Sequence, residues 1–144
     1  MADTVVVVAE SGRGRYQQEV RVGQHRLVAD EPASVGGGDG GPAPFDFLLT
    51  ALGACTSMTL RMYAERKGLA LRRVSVELQH EKVDIDGSRR DRIERRITLE
   101  GNLSSAERQR LLEIAEKCPV HRALSQPLLI ESRLEPTLDI PSKP

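Results

Sequence analysis

Aromatic residues are scarce in this sequence. Its 144 residues include no tryptophan, two phenylalanines and two tyrosines. A hydrophobic core must therefore be built from aliphatic side chains, and there are too few aromatic rings to stack on nucleic-acid bases. The 21 basic and 21 acidic residues cancel, so no net charge attracts the chain to nucleic acid or to an anionic membrane. We expect neither kind of partner.

Long apolar runs are also missing. The longest, Phe47 to Cys55 with Thr50 inside, is far shorter than the ~18 residues typical of a membrane span. The start, MADTVVVVAE, has an acid at Asp3 and no basic segment before its short valine run, so it does not resemble a signal peptide. We therefore expect a soluble, cytoplasmic protein.

Cysteine is limited to Cys55 and Cys118. Two cysteines in a chain of this length do not form the disulfide framework of a small secreted domain, which agrees with a reducing cytoplasm. A chain of 144 residues also has the length of one domain, so residues 1–144 are predicted to share one hydrophobic core.

The order of sequence patterns predicts an α+β fold. Alternating residues in TVVVVAE, RYQQEVRV and HRLVAD predict three strands of a meander, followed by a loop rich in glycine and proline. A helix is predicted to begin at Pro44 and to end at Gly68. A long hairpin, a helix capped by Ser104 and Glu107, and a last strand LLIESRLE follow, and the tail IPSKP is predicted to be disordered.

The hairpin contains a group of arginines that could be mistaken for a nucleic-acid patch. Asp91 and Glu94 are interleaved with them and no aromatic residue is near. A solvated hairpin tip is therefore the better interpretation. The group consists of Arg89, Arg90, Arg92, Arg95 and Arg96.

The first half of the predicted long helix is apolar on nearly all sides. Such a helix must be covered from several directions, and one sheet of the same chain covers only one of them. The simplest second cover is another copy of the chain, which predicts an obligate homodimer. One apolar stripe has Cys55 at its middle and consists of Leu48, Leu52, Cys55, Thr59 and Met62.

Both cysteines are predicted to lie on the inward faces of helices, so they could be near each other. Pro119 suits the first position of a short helix, PVHRAL, which makes Cys118 a candidate N-cap where backbone N–H groups favour a thiolate. Cys55 lies well inside its helix, so a reactive Cys55 needs a cation from elsewhere. The candidates are Arg13, Arg15, His121 and Arg122.

Two other interpretations of the cysteines remain open at this point. They could be ordinary buried cysteines without reactivity, which is common for this residue type. They could also bind zinc together with His121, since the CPVH spacing is permissible, but a fourth ligand is missing.

The stretches GPAPFDFLLTALGACTSMTLRMYAERKG and KCPVHRAL resemble the two cysteine motifs of the OsmC/Ohr superfamily of osmotically inducible and organic hydroperoxide resistance proteins, particularly its OsmC-like branch. The resemblance extends from about Tyr16 to Ile130 and includes ADEP and LEGNLS. It implies antiparallel sheets packed on a long buried central helix in an intertwined homodimer, with sites at the subunit interface. It also implies a thiol-dependent peroxidase that acts on organic hydroperoxides without a cofactor.

The resemblance implies a role for each site residue. Cys55 would attack the peroxide and become a sulfenic acid, and Cys118 would resolve it as a disulfide that an external dithiol reduces. An arginine from the N-terminal strand region, Arg13 or Arg15, would support the thiolate of Cys55. The alignment does not choose between the two arginines.

One position departs from the pattern of the peroxidase members. They carry a glutamate directly after the motif proline to hold the arginine, whereas this chain has Phe45. Asp46 is one residue further on, turned by about 100° around the helix, and is a poor substitute. The alternative function is a catalytically weak protein of the same fold that binds a small apolar ligand in the dimer-interface pocket.

Overall fold

The N-terminal region forms a three-stranded antiparallel sheet in the computed structural model, which describes residues 4–136. The strand order is β1-β2-β3, and Val20 lies opposite Val8 on one side and Leu27 on the other. The predicted meander is therefore confirmed. The three strands are β1 (Val6–Glu10), β2 (Gln18–Val22) and β3 (His25–Ala29).

The loop that follows is ordered by the carboxylate of Asp30. It accepts hydrogen bonds from the backbone N–H groups of Glu31, at 2.8 Å, and Gly40, at 3.0 Å. These N–H groups, that of Gly40 most strongly, hold the pKa of Asp30 below its usual range. A short 3-10 turn, Ala33–Val35, lies inside the loop. The loop that leads to the long helix therefore has a conformation fixed by hydrogen bonds.

The long helix α1 extends over Pro44–Lys67, as the sequence predicts. Its first turn is held by Asp46, whose carboxylate accepts the backbone N–H of Ala43 at 3.0 Å. It ends at Gly68, which has a φ of 65°, a left-handed conformation that glycine adopts without strain. One row of side chains at four-residue spacing is buried, and it consists of Leu52, Thr56, Leu60 and Ala64.

The predicted hairpin consists of β4 (Leu71–Ile85) and β5 (Ser88–Gly101). Asp86 and Gly87 both have positive φ, which suits a two-residue turn that matches the twist of the strands. The strands are thus longer and the turn shorter than the sequence indicates. The arginine group lies along β5, and the prediction of a fully solvated tip is wrong for Arg95, whose side chain is 9% exposed. Alternation along β5 turns this residue inward.

Two further helices, α2 (Ser105–Ala115) and α3 (Pro119–Leu124), complete the described part of the chain. The predicted capping box of α2 is present. The Ser104 hydroxyl accepts the Glu107 N–H at 3.1 Å, and the Glu107 carboxylate accepts the Ser104 N–H at 2.9 Å. The helix packs its apolar face against α1. Together they bury the core of Leu60, Leu111, Ile114 and Ala115.

The prediction of a last strand in LLIESRLE is wrong for this chain. Residues 126–136 form no ladder with either sheet. Leu129, Ile130 and Leu134 are 86%, 78% and 98% exposed. The alternating pattern is typical of a strand, but a strand forms only where a sheet edge supplies hydrogen bonds, and the segment lies on no edge of its own chain. The tail IPSKP lies outside the described residues. Among residues 4–136, no helix combines the length and apolar character needed to cross a bilayer.

Candidate active site

Cys118 is completely buried at the start of α3. It is the N-cap of this helix, with Pro119 at the first helical position, as the sequence predicts. Its Sγ accepts a hydrogen bond from the backbone N–H of His121 at 3.4 Å. The thiol therefore faces a backbone donor on one side.

The Sγ of Cys118 also lies 3.9 Å from the Oγ1 of Thr56, a buried residue of α1. Thr56 is the next residue after Cys55 in the helix. The start of α3 thus packs against α1 at the level of Cys55, which brings the two cysteine motifs to one place. Cys55 is partly exposed, and both thiols are free.

A buried cation, Arg95, which the sequence pattern places at a solvated hairpin tip, lies in the same place. The Arg95 guanidinium donates from Nη1 to Thr56 Oγ1 at 2.9 Å and to the backbone oxygen of Ala115 at 3.3 Å. The available sequence signal was alternation, because Arg95 shares the inward face of β5 with Ile93 and Ile97. Arginine is rarely buried without partners, and here three elements supply them.

His121 and Glu116 continue this network toward solvent. Arg95 Nη2 lies 3.2 Å from His121 Nδ1, and His121 Nε2 lies 3.0 Å from a Glu116 carboxylate oxygen. Because guanidinium only donates, Nδ1 must accept, and the neutral ring then carries its proton on Nε2 and donates it to Glu116. Hydrogen-bonded groups therefore connect Glu116, which is largely exposed, to the buried Thr56 beside Cys118.

A cavity of about 550 Å³ opens in front of this network. Its polar side carries Arg95, Glu116, His121 and Asp91. The Lys82 ammonium, at 2.9 Å, and the His80 ring, at 2.7 Å, hold the pKa of Asp91 below its usual range. The remaining wall is apolar except for Ser125 and consists of Phe45, Leu48, Leu52, Ile93, Ile97, Leu112, Leu124 and Ser125.

Phe45, which replaces the glutamate expected from the family resemblance, has a defined place in the structure. Its ring stacks on His80, with centroids 4.1 Å apart and an interplanar angle of 17°, and it forms part of the cavity wall. The neighbouring Asp46 is bonded to the Ala43 N–H at the helix start. The carboxylate of Asp46 therefore serves as a cap of α1.

Arg13 and Arg15 lie in the exposed turn between β1 and β2. The backbone N–H of Arg13 donates to the Ser11 hydroxyl at 3.1 Å, and the guanidinium of Arg15 lies 5.0 Å from the centre of the Tyr16 ring. Within residues 4–136, neither arginine makes a hydrogen bond or ion pair with a cysteine of the same chain. The structure of one chain therefore does not choose between them.

The zinc hypothesis finds no support in the part of the chain that the structure describes. No three His, Cys, Asp or Glu side chains there are grouped as metal ligands would be. The described contacts of Cys118 and His121 are instead with Thr56 and Arg95.

Comparisons with known proteins add independent findings. A family model described as OsmC-like protein matches residues 36–133. Among solved structures, an OsmC-like protein from Mycoplasma pneumoniae is similar, with a TM-score of 0.68 and 20% identity over 87% of each chain. An organic hydroperoxide resistance protein OsmC from Legionella pneumophila has a TM-score of 0.66 and 21% identity, over 86% of this chain and 90% of that one.

A third similar structure is an organic hydroperoxide resistance protein from Elizabethkingia anophelis with thiocyanate bound. Its TM-score is 0.64 and its identity 20%, over 85% of this chain and 88% of that chain. At such identities the structural likeness establishes the shared α+β fold, with antiparallel sheets and a long helix. A search of curated proteins finds no match.

Proposed function

This chain belongs to the OsmC-like protein family, and from that membership we propose that it is a thiol-dependent peroxidase that reduces organic hydroperoxides through Cys55 and Cys118. The supporting observation is the 3.9 Å contact between Cys118 Sγ and Thr56, the residue adjacent to Cys55. Adjacent helical residues differ by about 1.5 Å in height and are turned by about 100°, so Cys55 lies on α1 at the level of Cys118, which supports a shared site. Two of the similar structures are named as organic hydroperoxide resistance proteins, which agrees with this reaction class.

The proposed reaction has two steps on the protein. The Cys55 thiolate attacks one peroxide oxygen, so that an S–O bond forms, the O–O bond breaks, and the alkoxide takes a proton and leaves as an alcohol. The sulfur is oxidised to a sulfenic acid by the two electrons that the peroxide gains. Cys118 then forms a disulfide with Cys55, the hydroxyl leaves as water, and an external dithiol restores both thiols.

The proposed assembly is a homodimer. One side of α1 is apolar and uncovered, since Met58 and Met62 are 60% and 62% exposed, and Ala51 and Ala54 are exposed with them. Cys55 lies at the border of this face. A second copy would bury this apolar face, and the burial of apolar surface is the main driving force for stable association. The dimer would also complete a site that is open in one chain.

The cation for Cys55 is proposed to come from the N-terminal sheet of the second copy, as Arg13 or Arg15. In that case the replacement of one of the two by alanine slows alkylation of Cys55 near neutral pH, while replacement of the other changes little. The measurement is the rate of iodoacetamide labelling at Cys55 by peptide mass spectrometry. If both variants react at the parent rate, the cation lies elsewhere and Arg122 is the next candidate.

The peroxidase proposal is tested by titrating thiols before and after one equivalent of cumene hydroperoxide. We expect rapid loss of both thiols in the parent protein. Cys118→Ser should react once, accumulate a sulfenic acid on Cys55 and progress to the sulfinic acid, because no second thiol forms the disulfide. Cys55→Ser should not consume peroxide rapidly. A sulfenic acid on Cys118 in the Cys55→Ser protein, formed at the parent rate, would reverse the two roles.

A second candidate function is binding without efficient turnover. The observation that favours it is Phe45, which places an apolar ring on the cavity wall where the peroxidase members carry a glutamate. Thiols that stay unreacted after cumene hydroperoxide, together with saturable binding of an apolar fluorescent probe, would select this function. A Phe45→Glu variant that gains peroxide consumption would show that this one position separates the two functions.

A further inference from the structure

We infer that Arg95 is a positioning residue for the second thiol, and that its guanidinium, held against Thr56, stabilises the thiolate of Cys118. The inference deepens the proposed function, on which it rests for the use made of that thiolate. The interaction itself involves only residues of one chain and needs no peroxide.

The first step is the environment of the Cys118 sulfur. The residue has no exposed surface, so water cannot solvate a negative charge there. A buried anion without a compensating charge or hydrogen bonds is strongly disfavoured. A thiolate at this position therefore depends on the groups that the fold places around it, which are the His121 N–H of its own helix and the Thr56 hydroxyl of α1.

The second step is the hydrogen bonding of Thr56. The hydroxyl donates a hydrogen bond to the Leu52 backbone oxygen at 2.7 Å, and its oxygen accepts one from Arg95 at 2.9 Å. In the resting state the thiol must then be the donor in its contact with Thr56 Oγ1. Once the thiol proton leaves, the hydroxyl can turn from Leu52 to the sulfur, and the Arg95 N–H remains on the same oxygen.

The third step is the charge balance around the sulfur. The contacts of 2.9 and 3.9 Å bring the guanidinium nitrogen within about 7 Å of the sulfur, less than the Debye length. The charged or titratable groups that face this region are Arg95 from β5, Glu116 after α2 and His121 from α3. Glu116 pairs with Arg95 at 3.8 Å, but the Glu116 side chain is 58% exposed and screened by water, whereas the Arg95 side chain is 9% exposed. The positive charge therefore dominates at the sulfur.

Arg95 is also held firmly enough to act in this way. The Ala115 backbone oxygen and the His121 ring accept two more of its N–H groups. In the proposed reaction, the Cys118 thiolate attacks the sulfur of the Cys55 sulfenic acid, so that the S–S bond forms, the S–O bond breaks, and the leaving hydroxide takes a proton. The rate of such a step follows the fraction of attacking thiol that is ionised.

The experiment uses the Cys55→Ser protein, in which Cys118 is the single cysteine, and follows the ultraviolet absorbance of the thiolate against pH. Arg95→Met should move the midpoint of this titration upward by about one pH unit. Below the midpoint this corresponds to about a tenfold loss of thiolate. Arg95→Lys should restore most of the effect because it keeps the charge. The matched control is Arg96→Met, since Arg96 is the adjacent residue on the exposed face of β5 and pairs with Glu77.

Labelling with neutral iodoacetamide separates charge from packing. If Arg95 only supports the structure, its loss exposes Cys118 and labelling becomes faster; if it stabilises the thiolate, labelling near neutral pH becomes slower. If Arg95→Met does not fold, the same titration is made with Thr56→Val, which removes the hydroxyl between the cation and the sulfur. This variant should raise the pH midpoint of thiolate formation. An unchanged midpoint in the folded Arg95→Met or Thr56→Val protein, faster labelling, or an equal shift in Arg96→Met would overturn the inference. Failure to consume peroxide would overturn only the proposed function.

Discussion

The N-terminal sheet and the part of the chain from α1 to α3 differ in how far they complete their own packing. In β1 to β3, which the structure describes fully, Val20 is the one buried side chain, while Val6 and Val8 are 55% and 56% exposed. In the second part, Leu60 and Leu111 have no exposed surface. A three-stranded sheet needs a covering layer to be stable, and no other element among residues 4–136 covers this one. The proposed dimer accounts for this difference if the second copy covers the first region and the exposed apolar side of α1, while the core between α1 and α2 is completed within one chain.

The largest effect is expected from a substitution on the exposed apolar side of α1, which the proposed dimer would cover. Met58→Asp places a charge on the uncovered apolar face, where burial against a second copy would leave it unpaired. We expect the parent to have about twice the 15.9 kDa mass of one chain and the variant to be monomeric and less stable, as measured by light scattering. Gln109→Asp, at an exposed polar position of α2, is the control and should leave the mass unchanged. A folded parent monomer at micromolar concentration would contradict the dimer.

The next prediction compares the loss of unfolding free energy caused by one substitution in each region. Leu60→Ala removes a fully buried side chain from the core and should lower the free energy of unfolding by about 2–5 kcal/mol. Val6→Ala should cost about 1 kcal/mol if a second copy covers β1, and less than about 0.5 kcal/mol if the strand is solvated. Urea unfolding at several protein concentrations measures both values. A loss at Val6 within error of zero would count against coverage of β1.

A smaller effect is expected at the start of α2, within the self-sufficient part of the chain. Ser104→Ala removes the side-chain acceptor of the Glu107 N–H and should lower the free energy of unfolding by about 1 kcal/mol. Ser105→Ala is the matched control, because Ser105 is the first helical residue and does not accept this bond. Thermal unfolding of both variants measures the difference, and equal losses would show that the cap is not stabilising.

The smallest effect concerns the loop that joins the two regions. Because the pKa of Asp30 is held below its usual range, its contribution to stability is present above the ordinary carboxylate value of about 4 and is lost as pH falls through the lower folded value. The protection of residues 31–43 against hydrogen exchange, after correction for the intrinsic pH dependence of amide exchange, should therefore fall as the solution is acidified. Asp30→Asn should remove most of this pH dependence, while Asp39→Asn, at an exposed loop position, should retain it. Identical pH profiles for the two variants would contradict the role of Asp30.

The helix boundaries and the two cysteine motifs were determined by the sequence alone. Pro44 and Gly68 bound α1, and Ser104 and Pro119 mark the starts of α2 and α3, as predicted. Each of these signals acts within one helical turn, through a fixed φ, a cap or a missing N–H, so it can be recognised without knowing the rest of the fold. The family resemblance likewise rests on contiguous motifs, and the family model matches the region that contains both cysteines.

The surroundings of the second cysteine were decided by tertiary structure. Arg95 meets Thr56 across 39 residues of sequence, and Thr56 meets Cys118 across 62. In the sequence Arg95 is one of five similar arginines, because the strand period tells which residues share a face but not which face is buried or how deeply. The last segment shows the same limit, since its alternating pattern suits a strand but residues 126–136 pair with no edge of either sheet. Local stereochemistry is encoded within a few residues, whereas burial and pairing depend on which distant elements the fold brings together.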